Sequence, residues 1–100
     1  MLKIGQKLYC TKSITIKVHG HSYIYEKDNY YNIFIINEKG NHVTICSNDY
    51  SIYDFYTTDD KYDDSGMFAD EYIWDYFCTV SDLRKIKLKT IEKNGTKIHN

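Results

Sequence analysis

Carboxylates dominate the residues that could do chemistry. Between Asp49 and Asp75 the chain carries nine of them (Asp49, Asp54, Asp59, Asp60, Asp63, Asp64, Asp70, Glu71 and Asp75) against one base, Lys61, a local balance of −8. The near-neutral total of −1 conceals this, because the remaining residues hold 12 bases against 5 acids. Charge segregated in this way bears on partners as the total does not. A hard cation is the first chemistry to test, since it takes clustered carboxylate oxygens and the tip Asp59-Asp60-Lys61-Tyr62-Asp63-Asp64-Ser65-Gly66 offers many. The EF-hand spacing fails: with Gly66 in the sixth place, Lys61 stands first and Tyr72 twelfth, and Glu71 falls one place short. The tip is expected to be a solvated acidic loop, with a cation site of another geometry as the alternative.

Catalysis finds little support. His19 and His21 flank Gly20 in what reads as a turn, and no cysteine or carboxylate is spaced to make a nucleophile pair or a metal triad with them. Cys10, Cys46 and Cys78 are odd in number, widely spaced and without a CxxC, so reduced, buried thiols are expected rather than a disulfide framework or a zinc site. No cofactor is implied, and the chain is not expected to be an enzyme.

Binding is the better reading. Ten of the sixteen aromatic residues fall between Tyr50 and Phe77, within the acidic stretch. A surface with roughly the charge density of a nucleic acid could occupy a basic groove on another protein, carboxylates steering the encounter and aromatic rings anchoring it. The residues expected to meet such a partner are Asp54, Phe55, Asp59, Asp60, Asp63, Asp64, Asp70, Glu71, Tyr72 and Trp74. The basic run Arg84-Lys85-Ile86-Lys87-Leu88-Lys89 could touch phosphate, but the neighbouring acidic stretch would repel it, so direct nucleic-acid binding is not expected. A second class of function is a binder of a small nucleotide signal, with tyrosines stacking and Arg84 or lysines holding phosphate. A third is a virion or assembly component.

The elements that would position these residues are mostly strands. Residues 6–12 and 13–18 alternate apolar with polar side chains, the period of a half-buried strand. Ser22 to Tyr25, Tyr30 to Ile36 and His42 to Cys46 continue the pattern, separated by turns at 19–21, 26–29 and 37–41, and together predict a four-strand meander. Met67-Phe68 and Glu71 to Phe77 are expected to return to the fold, the latter as another strand. Thr79-Val80-Ser81-Asp82 has capping-box spacing and predicts a helix to about Lys93, against a hairpin turned at Asn94-Gly95.

One hundred residues allow one core, so residues 1–100 are read as a single domain with an acidic, tyrosine-rich insert at about 49–75 and a basic segment at 84–97. No apolar run nears the roughly 20 residues that span a bilayer, and the N-terminus lacks the apolar region of a signal peptide, so an intracellular protein with no membrane association is expected. Ile, Lys, Asn and Tyr total 43 residues while Ala, Gly, Pro and Arg total 7, a usage that suits an AT-rich bacterial or phage genome.

The order Ile4-Gly5-Gln6-Lys7, Glu26-Lys27-Asp28-Asn29-Tyr30-Tyr31-Asn32-Ile33, Asn37-Glu38-Lys39-Gly40-Asn41, Tyr76-Phe77-Cys78-Thr79 and Leu83-Arg84-Lys85-Ile86-Lys87-Leu88 resembles the small SH3-like β proteins encoded by phages and prophages of AT-rich bacteria. The resemblance implies a mainly β fold, a small SH3-like barrel or curled antiparallel sheet with a C-terminal helix. It carries no catalytic residues. It also implies an accessory phage protein acting in the cytoplasm of a bacterial host by stoichiometric protein binding. Anti-defence proteins, anti-CRISPR inhibitors among them, are one class that such domains join, with a host protein bearing a basic nucleic-acid-binding groove as the partner.

Overall fold

Alternating side chains commit several stretches of the chain to strands, and the computed structural model, which describes residues 2–87, contains eight. They are β1 (Lys7–Cys10), β2 (Ile14–Val18), β3 (His21–Tyr25), β4 (Tyr30–Ile36), β5 (His42–Cys46), β6 (Ile52–Tyr56), β7 (Glu71–Tyr72) and β8 (Phe77–Thr79). Six of them form a curled half-barrel sheet in the order β7-β6-β5-β4-β1-β8, and β2 and β3 pair separately. All pairings are antiparallel except β6 with β7.

The expected four-strand meander is therefore corrected. β1 pairs with β4 and β8, not with β2, and the β2–β3 hairpin leaves the sheet to lie against its inner face. The reason is amphipathicity: Ile14, Ile16, Tyr23 and Tyr25 of the hairpin pack on the core, and burying them against a second layer removes more apolar surface than extending one layer would. A two-residue turn at His19 and Gly20 closes the hairpin, both with positive φ (49° and 79°), the geometry whose twist matches the flanking strands.

Leu8, Cys10, Tyr25, Tyr31, Ile33, Val43, Ile45, Phe55, Ile73 and Phe77 form the core. Tyr25 joins its two layers. Its ring meets Tyr31, Phe55 and Phe77 edge-to-face at 5.1, 5.5 and 5.5 Å, an arrangement aromatic quadrupoles favour. Its hydroxyl donates to the Ile45 carbonyl at 2.5 Å, so this buried polar group is satisfied and burial raises its pKa well above the ordinary tyrosine value.

The segment expected as one strand over 71–77 is broken. Two residues of β7 give way to a 3₁₀ turn, Ile73–Asp75, which drives Ile73 into the core before β8 begins. The capping reading is borne out locally: Thr79 Oγ1 accepts the Asp82 N–H at 3.0 Å, and a helix, α1, runs over 80–87. The rest of the expected helix and residues 88–97 of the basic segment lie outside the described residues. All three cysteines are free, Cys10 buried and Cys46 and Cys78 half-buried. No helix among the described residues is long and apolar enough to cross a membrane.

The β5–β6 turn is fixed by one carboxylate. Asp49 Oδ1 accepts Ser47 Oγ at 2.7 Å, the Ser51 N–H at 3.1 Å and Ser51 Oγ at 2.5 Å. These bonds, those from Ser51 foremost, hold Asp49 down from 3.8 to about 2.

Two outcomes follow. Tyr25→Phe keeps the rings and loses the bond to Ile45, costing about 1–2 kcal/mol, whereas Tyr25→Ala opens the core and costs about 3–5 kcal/mol, both read by urea denaturation. Because folded Asp49 holds its proton less tightly than the unfolded chain does, its contribution is full above about pH 4 and fades as pH falls towards about 2. The stability difference between wild type and Asp49→Asn should therefore be present at neutral pH and close on acidification; a gap independent of pH would contradict it.

Candidate functional site

The acidic loop, residues 57–70, leaves the end of β6 and is caught by two adjacent residues at the start of β5. Asn41 and His42 are each only 3% exposed. Asn41 Nδ2 donates to the carbonyls of Asp60 (2.9 Å) and Tyr62 (2.7 Å), and its Oδ1 accepts from Asn37 Nδ2 at 2.7 Å. His42 Nε2 donates to the intervening Lys61 carbonyl at 2.8 Å. Three consecutive carbonyls of the loop are thus held by two buried side chains. The Thr57 N–H donates to the Asn41 carbonyl and Thr57 Oγ1 to the Gly40 carbonyl, both at 2.8 Å, closing the loop's entry.

The tip organises itself as well. Asp63 Oδ1 accepts the N–H groups of Ser65 (2.8 Å) and Met67 (2.9 Å) and Ser65 Oγ (2.7 Å), bonds that lower its pKa, those from Ser65 first. Gly66, at φ 85°, makes the reversal that brings the Met67 carbonyl to the Asp63 N–H at 2.9 Å. Tyr62 and Phe68 bridge across the loop with their rings 5.4 Å apart. The Lys61 ammonium, alone among the nine carboxylates, lies over the rings of Tyr56 (5.2 Å) and Phe68 (5.9 Å).

Beneath the loop, His42 Nδ1 and Asp54 Oδ2 are 2.6 Å apart. A carbonyl only accepts, so Nε2 carries a hydrogen towards Lys61, and the contact with Asp54 requires a second proton, on Nδ1 or on the carboxyl. The pair is neutral as a unit, which is how it tolerates burial. Burial pushes the Asp54 carboxyl up, against the opposing pull of His42. Donor atoms of His42, Asp54 and Asp63 lie within 4.8 Å of one another, near enough for a cation. Both ring nitrogens of His42 are already bonded, however, so a metal would have to break the bond to Lys61 or to Asp54. The arrangement works as a clamp.

The residues expected to face a partner divide into groups. Asp59, Asp60, Asp64 and Asp70 are exposed. Asp60 lies 3.9 Å from Lys39 Nζ, and Asp64 accepts the Glu38 N–H at 3.2 Å. Asp54 and Asp63 are half-buried and engaged as described. Glu71 accepts the Tyr76 hydroxyl at 2.9 Å, and Tyr72 tilts onto Tyr56 at 5.2 Å. Trp74 is partly exposed in the 3₁₀ turn and borders a cleft of about 540 Å³ shared with Leu2, Ile36, Lys39 and Thr57, beside the loop's base. Phe55 is corrected: it is 0% exposed, paired with Val43 and packed on Tyr25 and Phe77, so it cannot anchor a partner.

The exposed apolar residues of the loop are others. Tyr62, Phe68 and Met67, the last 66% exposed, stand among the carboxylates. Met67 and Phe68 were expected to return to the fold, but the small Ala69 enters instead, its N–H donating to the Lys61 carbonyl at 2.9 Å. The sequence signal available was Asp63-Asp64-Ser65-Gly66, an Asx-type turn that lifts the following residues outward. No family model, no curated protein and no solved structure matches the chain.

Asn41→Ala and His42→Ala each leave loop carbonyls unmet and should destabilise the protein by about 1–3 kcal/mol. Hydrogen exchange should accelerate over 57–70 more than in β4 and β5; uniform acceleration, or none, would show that the loop is not held by these residues.

Proposed function

We propose that the chain acts by stoichiometric binding, presenting the 57–70 loop to a basic nucleic-acid-binding groove of a bacterial protein, a defence effector among the candidates. The observation that carries this reading is the division of labour in the loop. Its backbone is bound to Asn41 and His42, while Asp59, Asp60, Asp64 and Asp70 point to solvent around Tyr62, Met67 and Phe68. A preordered anion array loses less entropy on docking than a mobile one, and apolar side chains within it supply the area that carboxylates lack. The half-barrel and its short helix are compatible with an SH3-like accessory protein of a phage, and the charge complementarity supports inhibition by occupying a nucleic-acid site.

The test uses the tagged chain against bacterial lysate at low and at moderate salt, followed by competition of the retained protein with DNA or RNA. A nucleic-acid-binding protein released by salt and displaced by nucleic acid is expected. Asp59→Asn, Asp60→Asn and Asp64→Asn together should weaken that complex roughly tenfold to a hundredfold, with the loss falling largely in the association rate. Asp63 is left intact because its carboxylate builds the turn. Phe68→Ala should weaken the complex at all salt concentrations by accelerating dissociation. Unchanged affinity in the triple variant would overturn the mimicry.

A further inference from the structure

At the opposite end of the β4–β5–β6 ladder, the start of β4 and the 47–51 turn enclose a cleft of about 370 Å³, within the size range of small-molecule sites. Its floor is fixed. The Tyr31 hydroxyl accepts the Glu26 N–H and donates to Asn48 Oδ1, both at 2.6 Å. Asn48 Nδ2 donates to Glu26 Oε1 at 2.7 Å and its N–H to the Ile24 carbonyl at 3.0 Å.

The rim, by contrast, carries exposed polar groups that the fold leaves to solvent. The hydroxyls of Tyr30 and Tyr50 and the side-chain amides of Asn29 and Asn32 line or border the cleft, and none makes a hydrogen bond among the described residues. Tyr50 is 87% exposed and sits at φ 66°, a left-handed conformation that is costly for a bulky side chain. The Asp49 bonds to Ser47 and Ser51, and the Tyr50 N–H bond to the Ser47 carbonyl, hold it there. A strained backbone that displays an aromatic ring to solvent beside a cleft points to a ligand.

The chemistry of that ligand follows from the lining. Two rings offer faces, and two amides and two hydroxyls offer donors and acceptors. Among the described residues no lysine or arginine lines the cleft, so none of them offers a phosphate a cationic partner in it. Around it stand Glu26, Asp28 and Asp49, against Lys27 and, across the ladder from Asn32, Lys7. A saccharide fits this set: its C–H faces stack on tyrosine rings, and its hydroxyls both donate to and accept from amides. We propose that the cleft bounded by Tyr30, Asn32, Asn48 and Tyr50 is a binding site for a neutral saccharide, separate from the acidic loop. The small-nucleotide reading drawn from the tyrosines thereby gives way, at this cleft, to an uncharged ligand.

The full chain, labelled for NMR, would be titrated with maltotriose, cellotriose and chitotriose, and in parallel with adenosine monophosphate. The expected result is a saturable shift of the amides of residues 29–32 and 46–50 with at least one trisaccharide, and none over 57–70. Tyr50→Ala and Asn32→Ala, both exposed, should weaken it at least roughly tenfold while leaving the melting temperature unchanged. Silence with all three sugars to high millimolar concentration would overturn the proposal. So would shifts produced only by the nucleotide, or sugar binding that both variants retain. Because the acidic loop lies at the other end of the ladder, failure here would leave the protein-binding reading standing, and the converse also holds.

Discussion

Like charges packed into one loop repel, and the structure depends on what holds that loop in place. Asn41 and His42 do so by taking the carbonyls of Asp60, Lys61 and Tyr62, while Lys61 turns its ammonium back over two rings of the loop and its base. These bonds run through the backbone, so the exposed carboxylates of Asp59, Asp60, Asp64 and Asp70 are not spent on the clamp. A clamp made through the carboxylates themselves would have neutralised the surface it was ordering. The arrangement of His42 over Asp54 extends the clamp into the sheet at no net charge, with Nδ1 and Oδ2 2.6 Å apart.

The clamp needs a rigid frame, and aromatic packing supplies it. Tyr25 brings the β2–β3 hairpin onto the sheet and meets Phe55, whose own strand carries Asp54 on its other face. Alternation along β6 therefore sets both sides at once: Phe55 inward to the core, Asp54 and Tyr56 outward to the loop. A register slip of one residue would exchange these roles and release the loop together with the core.

Much of the fold could be read from the sequence. β1 to β5 lie where alternation and turn residues place them, and Thr79 caps a helix as its spacing indicates. Strand pairing was less legible, because period-2 alternation says that a strand has an apolar face without saying which strand will meet its edges; β1 finds β4 and β8 far along the chain. Residues 71–77 misled because an apolar run reads as a strand until packing demands a kink at Ile73. Phe55 keeps the company of surface residues in the sequence, but its alternation with Asp54 and Tyr56 turns it inward. The acidic surface was legible from charge alone, but Asn41 and His42 looked like an ordinary turn end and strand start, and no local pattern marks a side chain that will bond a loop some twenty residues away.

The acidic loop is an ordered surface rather than a solvated tail. Backbone ¹⁵N relaxation measures this directly on the isolated protein. Order parameters over 57–70 should lie close to those of β4 and β5, about 0.85, with Asp60 to Tyr62 as rigid as the strands. Values below about 0.6 across those residues would contradict it, and with it the idea that the carboxylates are held ready for a partner.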